Sequence, residues 1–597
     1  MAFLSVTVAL CTVVSKAPVA AYEMSIYDAY PWHFWLATCI NLSCGILIIL
    51  RQALNSKEGS NWWLVGIMVV IMANCIVLLL PFLRGYFLYG RDDPLSHLLM
   101  VQDIVSTGKV TDNLYPASHI LAAGLSLVCG VDSAVIVNCQ PTVFSVVYVV
   151  GVCALAVAVG KNRGQVLLIS ALGTVLLFSN YGTNFRPTHF AFAIVPLILL
   201  LFYLRMTSMS NSALFVILLL LVPILHIFAS VMVATVFLLY ELSFALRNRL
   251  SRRGSIRGGI ESASLASRRS SSITPALLVL VAAFAWYWDS FEFAANARSL
   301  RDFILYDIGA RPADTITATA SQANTTVTDF LYMFFRGYGH ELAYAVMAAL
   351  AILVVIRKWY RSRIAVTVDE VFFGLLFVVF SLAFFPFLFG SFLFLNPLRE
   401  FEWALMAATV VVGMVFYEAL SPKEEGESEW RPRSKVAFVM LALGLIGSST
   451  IGVFGAYYCP LYGLTNAQVT RAEMSGMQWF FTHSSSETPT INVRYIGEFA
   501  WRSLDARPGY DSIVESKNLA FLESPLHFGY QQGGALAPDL SSGVYLVITR
   551  SDRLTSSEIW HERGDFTTQD FDRLNSEPAL AEVYCNGELE IWVSSSS

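Results

Sequence analysis

The chain has 597 residues, 56% of them hydrophobic and 14% charged, with a formal net charge of −5 and a mean hydropathy of +0.58. A soluble globule carries about 25% charged residues, so composition excludes an ordinary water-soluble enzyme and describes a polytopic membrane protein. The absence of a basic face excludes nucleic acid as a partner, and only residues 457–597 are polar enough for a soluble domain.

Residues 1–20 are apolar and lack the basic segment that opens a secretory leader; although they end in Ala-Pro-Val-Ala-Ala, a first membrane helix is the better reading. Tyr22 to Pro31 is a short outer loop with aromatic residues suited to the headgroup zone. Spans at about 32–51 and 62–83 follow, and the second delivers Arg84 to Asp93 to the outer face.

The stretch 93–132 is the most informative. Asp93 is placed to cap a helix and Pro94 to occupy its first turn; Leu95, Leu98, Leu99, Ile104 and Val105 form an imperfect apolar face, and Gly108 ends it. Tyr115-Pro116 opens a second apolar helix over 117–128, shorter than the roughly 20 residues a span requires. The basic loops Lys161/Arg163, Arg205, Arg247 to Arg269, Arg357 to Arg363 and Arg431 to Lys435 can all face the cytoplasm only if 115–131 does not cross. The remaining spans then fall at about 140–160, 165–180, 187–204, 211–226, 227–245, 274–291, 337–356, 370–395, 400–419 and 436–456. The expected architecture is an all-α membrane domain, 1–456, with about thirteen spans, a cytoplasmic N-terminus and an extracytoplasmic C-terminus.

Within that domain, 84–138 is an outer loop carrying two interfacial helices. Residues 247–273 form a basic, Gly/Ser-rich cytoplasmic loop against anionic lipid. A second outer loop spans 291–336 and contains an Asn324-Thr325-Thr326 glycosylation triplet. Residues 457–597 read as a small extracytoplasmic α/β domain: a helix over 469–481, strands at 544–549 and 589–593, and an Asn586-Gly587 hairpin turn. Seven of nine Cys lie in or near apolar segments, whereas Cys459 and Cys585 both belong to the C-terminal domain and could pair if it faces an oxidising compartment.

Asp92 and Asp93 are the candidate catalytic residues. Two carboxylates at the edge of lipid suit one accepting the proton of an acceptor hydroxyl while the other orients it or a divalent metal, Mg or Mn. His97 lies one helical turn from Asp93 and could join such a metal site or hold substrate. No Gly-rich phosphate loop or Walker motif serves a cytoplasmic nucleotide sugar.

The order of an apolar span, Asp92-Asp93 at its outer end, a "SHLLMVQDIVSTGKV" helix and then "NLYPASHILAAGLSLVCGVD" resembles the first extracytoplasmic loop of the GT-C superfamily. These are polytopic glycosyltransferases that use polyprenyl- or dolichyl-phosphate sugars, such as protein mannosyltransferases, aminoarabinose transferases and oligosaccharyltransferases. The resemblance implies a catalytic base at Asp92 or Asp93, a lipid-phosphate sugar donor and a glycan, lipid or protein acceptor. The family often opens its second loop helix with Pro-Pro-Leu-Tyr, where this chain has only Tyr115-Pro116. Two spans also precede those of the simplest family plan. The Glu23-to-Pro31 segment and the long tail are similar to archaeal cell-envelope members.

A departing lipid phosphate calls for cations. Arg186, at an outer span end, and Arg399, with Glu400 and Glu402 beside it, are the candidates; interfacial snorkelling is the plain alternative for both arginines. Tyr115, His119 and His226 complete the substrate-binding candidates. Arg336, His340 and Glu341 form a polar group entering a span, and Trp286 to Asp289 form an interfacial aromatic patch. A lipid-sugar flippase or transporter would instead show ionisable residues deep within spans and broken helices. A noncatalytic envelope assembly protein would not need the acidic pair.

Overall fold

The computed structural model describes residues 2–54, 60–91, 93–110, 113–174, 182–252, 272–288, 326–361, 366–389, 397–420, 432–485, 488–493, 521–532, 534–541, 543–560 and 565–594. A helix coincides with each sequence-expected span. The chain runs α1 (Ala2–Ser15), α2 (Ile26–Ala29), α3 (Trp32–Leu54), α4 (Trp62–Leu78), α5 (Leu80–Leu83), β1 (Leu88–Tyr89), α6 (Asp93–Thr107) and α7 (Pro116–Cys129). It continues through α8 (Ser133–Val159), α9 (Arg163–Gly173), α10 (Pro187–Ala193), α11 (Val195–Leu204), α12 (Met209–Leu225) and α13 (Ile227–Arg252). The last helices of the bundle are α14 (Ile273–Tyr287), α15 (Val327–Arg361), α16 (Val368–Phe389), α17 (Pro397–Leu420) and α18 (Pro432–Gly455).

Among the described residues seven helices are long and apolar enough to cross a membrane, with five shorter apolar helices beside them. The sequence-based count of about thirteen is therefore not reached by length. Helix α1, for instance, has 14 residues and α9 has 11, both well below about 20. The continuation expected to 180 lies outside the described residues.

Side-chain contacts sort the loops to two ends of the bundle. At one end Arg163 donates to Asn61 Oδ1 at 3.4 Å, Lys358 bonds Glu370 and Glu418 at 2.9 Å each, and Ser272 donates to Glu241 at 2.7 Å. Lys161 and Lys358, from two of the basic loops, meet there on Glu418. At the other end Asn138, in the second turn of α8, donates to Phe87 O at 2.9 Å and accepts from Tyr89 N–H at 3.1 Å. The chain thus leaves β1, makes α6 and α7, and is tied back to β1 by Asn138 near the start of α8, so the two-helix segment begins and ends at the same end of the bundle. At 14 residues, α7 is about 21 Å long, short of the ~30 Å hydrocarbon core. It buries Ser118, His119 and Ser126 while exposing Ile120, Leu121, Leu127 and Val128. Such an inside-out pattern suits a helix whose solvent is lipid.

The remaining polypeptide forms β2 (Gln468–Val469), α19 (Arg471–His483), β3 (Thr490–Asn492), β4 (Phe521–Glu523), β5 (Tyr545–Thr549), α20 (Arg550–Leu554), α21 (Thr568–Leu574), β6 (Leu580–Cys585) and β7 (Leu589–Ser594). Five strands make a mixed sheet in the order β4-β3-β5-β7-β6, parallel on the β4-β3-β5 side and antiparallel beyond. The Asn586-Gly587 turn joins β6 to β7, with Gly587 at φ +83. Alternation along β5 sends Leu546 and Ile548 to a core with Phe528, Phe571 and Trp592. Val547, with Leu589 and Ile591, belongs to the apolar cluster shared by α19 and the bundle. Cys459 is buried and Cys585 exposed, and neither is in a disulfide, so the sequence-based pairing is not realised.

Candidate functional site

The site is built at the end of the bundle that carries the acidic stretch. Helix α6 starts at Asp93 itself, one residue earlier than the cap assignment from sequence, and stops where Gly108 adopts φ +70. Leu95, Leu98 and Val101 are fully buried on one stripe, which leaves Asp93 exposed and His97 half-buried one turn apart on a neighbouring face. Asp92 lies outside the described residues.

From α7, the buried His119 places Nε2 3.0 Å from His97 Nδ1 and Nδ1 2.9 Å from Asn113 Nδ2. Asn113 Oδ1 accepts the Tyr115 N–H at 2.9 Å, which orients its amide so that Nδ2 donates to His119. A neutral His119 therefore carries its proton on Nε2 and donates to His97, which in turn keeps its own proton on Nε2. Burial, reinforced by the neighbouring His97, holds the His119 pKa well below the usual histidine value.

Three further segments close on this pair. Phe185 stacks on His119 with centroids 5.7 Å apart and lies 5.6 Å from His97. Arg186 follows at once as the N-cap of α10, in extended backbone with Pro187 in the first turn. His226 ends α12 in extended conformation, where it stacks on Tyr115 at 4.5 Å and 13°. Trp286 of α14 donates to Leu114 O at 3.2 Å, so one member of the aromatic patch supports this loop.

The structure thus groups His97, Tyr115, His119 and His226, with Arg186 beside Phe185 and Asp93 one turn from His97. Arg399 and Glu400 lie in the first turn of α17, whose far end carries Glu418 against Lys161 and Lys358. That turn therefore belongs to the end bearing the site; the side chains of Arg399 and Glu400 lie outside the described residues. Glu402, one turn on, is in electrostatic reach of Tyr148 of α8.

Sequence reasoning missed Asn113, Phe185 and a buried polar group deeper in the bundle. His189 follows Arg186 by one turn, and neither ring nitrogen has a partner among the described residues; the Tyr148 hydroxyl is likewise unpartnered. Both flank Phe192, whose ring lies 5.2 Å from Tyr148 and 6.5 Å from His189. Tyr148 is isolated in an apolar run, whereas His189 stands one turn from Arg186 in Asn184-Phe185-Arg186-Pro187-Thr188-His189, a spacing that could have drawn it in. Among the described residues no three His, Cys, Asp or Glu converge as metal ligands. The imidazole pair commits both His119 nitrogens and His97 Nδ1 to hydrogen bonds, so it does not fit a metal-ligand set.

No family model and no curated protein sequence matches the chain. By structure it is similar to the archaeal oligosaccharyltransferase AglB from Archaeoglobus fulgidus in complex with an inhibitory peptide and a dolichol-phosphate, at 12% identity and a TM-score of 0.44 over 81% of this chain and 69% of that one. It is similar to ArnT from Cupriavidus metallidurans bound to undecaprenyl phosphate, at 11% identity and a TM-score of 0.45 over 90% of this chain and 98% of that one. It is also similar to the arabinofuranosyltransferase AftD from Mycobacteria, at 13% identity and a TM-score of 0.44 over 89% of this chain but only 40% of that one. All three are GT-C superfamily transferases, the group that the loop residues resemble. The likeness is one of coarse shape, and no residue role is taken from it.

Proposed function

We propose that this protein is a GT-C-type membrane glycosyltransferase that moves a sugar from a polyprenyl- or dolichyl-phosphate donor to an extracytoplasmic glycan, lipid or protein. The observation that carries the reading is the meeting of Asp93, the His97–His119 pair, the Tyr115–His226 stack and Arg186 at one end of an apolar bundle. A lipid-linked donor keeps its phosphate at headgroup level while its tail stays in hydrocarbon, and this end offers acid, cation and aromatic surface at that level.

In the proposed step Asp92 or Asp93 takes the proton of the acceptor hydroxyl. The freed oxygen forms a bond to the anomeric carbon, and the bond from that carbon to phosphate oxygen breaks with its electron pair. The departing polyprenyl phosphate is neutralised by Arg186 and Arg399, with Glu400 the acidic neighbour of the latter in sequence. Tyr115 and His226 present a flat aromatic surface on which a sugar ring stacks, and His97 and His119 line the same place. The meeting of two basic loops at the opposite end supports a cytoplasmic placement for that end. With the shorter helices counted as crossing, the arrangement is about thirteen spans, a cytoplasmic N-terminus and an extracytoplasmic C-terminal domain in the cell membrane.

The test is incubation of purified protein with a panel of polyprenyl-phosphate sugars and candidate acceptors. The reading expects release of polyprenyl phosphate matched by glycosylated acceptor. A second reading, a lipid-sugar flippase, is favoured by one observation: His340 and Glu341 are buried inside α15, with Nδ1 and Oε2 2.7 Å apart in a contact whose angles do not make a hydrogen bond. Ionisable residues buried along an apolar helix mark ligand or proton paths in transporters. Transbilayer movement of a fluorescent lipid-linked sugar in proteoliposomes, without release of lipid phosphate, would select it.

A further inference from the structure

The residue immediately before the acidic pair is gripped by the C-terminal domain. Arg91 Nη2 pairs with Glu473 Oε1, Nη1 donates to Glu473 Oε2 at 3.2 Å, and Nη1 also donates to Gln468 O at 2.7 Å. Glu473 sits in the first turn of α19, fixed by the Thr470 hydroxyl accepting its N–H at 3.1 Å, and its side chain is only 2% exposed. The Tyr22 ring lies 5.8 Å from the guanidinium and its hydroxyl donates to Asn466 O at 2.6 Å, so a third segment completes the socket.

The chain around Arg91 has little freedom. Before it, β1 pairs with β2 in register Leu88↔Val469 and Tyr89↔Gln468, and Gly90 N–H donates to Ala467 O at 2.8 Å. Gly90 has φ +112, and a Cβ there would stand 2.4 Å from Pro94 Cγ. The turn is therefore closed onto the first turn of α6, and rotation of Arg91 would move Asp93, the first residue of that helix. Both terminal nitrogens of Arg91 are occupied by the domain, so the residue is not arranged to bind a donor phosphate.

We infer that Glu473 is a positioning residue for the acidic pair: through Arg91 the C-terminal domain sets where Asp92 and Asp93 stand, rather than only covering the site. This inference rests on the proposed glycosyltransferase reading, and it assigns the domain a part in that reaction.

The control is a second ion pair in the same knot that does not adjoin the acids. Arg84 pairs with Glu23, with Nε donating at 3.0 Å and 3.1 Å to its two carboxylate oxygens. Glu473→Gln, Glu23→Gln, Arg91→Lys and the exchanged pair Arg91→Glu/Glu473→Arg are compared in the full-length protein for donor KM, kcat and thermal stability. Hydrogen exchange is followed at the amides of residues 90–98. Misplacement of a catalytic group by about 1 Å costs on the order of 100-fold in rate. We expect Glu473→Gln to lower kcat on that order with donor KM unchanged and to speed exchange at 90–98. Arg91→Lys and the exchanged pair should recover part of the rate, and Glu23→Gln should lower stability without changing kcat. Equal kcat losses in Glu473→Gln and Glu23→Gln, or unchanged exchange at 90–98 in Glu473→Gln, would overturn the inference. If the wild-type protein releases no polyprenyl phosphate from any donor, the reaction reading fails, and the exchange measurement still decides the positioning.

Discussion

His119 and His97, twenty-two positions apart, share a hydrogen bond of 3.0 Å whose direction is set by Asn113. The pair exists only while both rings are neutral, since a protonated His119 would present N–H groups to both neighbours and lose its acceptor role toward Asn113.

A pH dependence follows. His119 has a folded pKa well below 6.5, through burial first and His97 second. Below about 6.5 the unfolded chain takes up a proton that the folded one refuses, so stability is complete above that pH and falls as pH is lowered through and below it. The melting temperature of the solubilised protein should drop between pH 7.5 and pH 5. A His119→Asn chain should show a flatter profile, starting about 1–3 kcal/mol less stable for the lost buried hydrogen bonds. Parallel profiles for the two proteins would count against the neutral pair.

Asn138 links α8 to β1 by donating to Phe87 O and accepting from Tyr89 N–H. Asn138→Ala leaves both backbone groups unpartnered, and we expect a loss of about 1–3 kcal/mol. Exchange should quicken at residues 86–90, measurable by mass spectrometry. Asn138→Asp retains the acceptor and should keep the Tyr89 amide slow.

Gly164 opens α9 against α17 at the opposite end of the bundle. A Cβ there would lie 2.0 Å from Tyr417 Cε2 and 2.1 Å from Cζ, inside the ring itself. Gly164→Ala should therefore destabilise by about 1–3 kcal/mol as the helices shift. Adding Tyr417→Leu should recover part of that loss in a thermal melt, whereas Tyr417→Phe should not, because the clash is with ring carbons.

How much of this could be read in the sequence divides along the distance between partners. Gly108 as a helix stop, Tyr115-Pro116 as a helix start and Asn586-Gly587 as a hairpin are local, and the residues that make them lie within a few positions of each other. The charge bookkeeping that kept 115–131 from crossing is global but one-dimensional, whereas the Asn138 bridge, which brings the start of α8 back to β1, has no mark in the sequence. The stack of Tyr115 on His226 and the Arg91–Glu473 pair join segments whose sequences carry no mark of one another. Thr470-Arg471-Ala472-Glu473 reads only as a helix start, and its charge partner lies 382 positions away. Whether Cys459 and Cys585 pair could not be read from chemistry alone; one is buried and the other exposed at a strand end, and they stay apart.

Cys585 makes the orientation testable. It is exposed on the C-terminal domain, whereas Cys459 is buried. In a protein whose other exposed cysteines, Cys11 and Cys129, are replaced by Ser, a membrane-impermeant maleimide applied to right-side-out vesicles should label Cys585, and adding Cys585→Ser should abolish the labelling. Labelling that appears only after the vesicles are opened would place the domain on the cytoplasmic side.

The central claim, that the acidic pair supplies the base, is tested most directly by single-turnover release of polyprenyl phosphate from a saturating donor, comparing wild type with Asp92→Asn and Asp93→Asn. General-base catalysis is worth about 10²–10⁴-fold. We expect a rate loss of that size in at least one variant, with donor binding retained. Wild-type release rates in both would contradict the account.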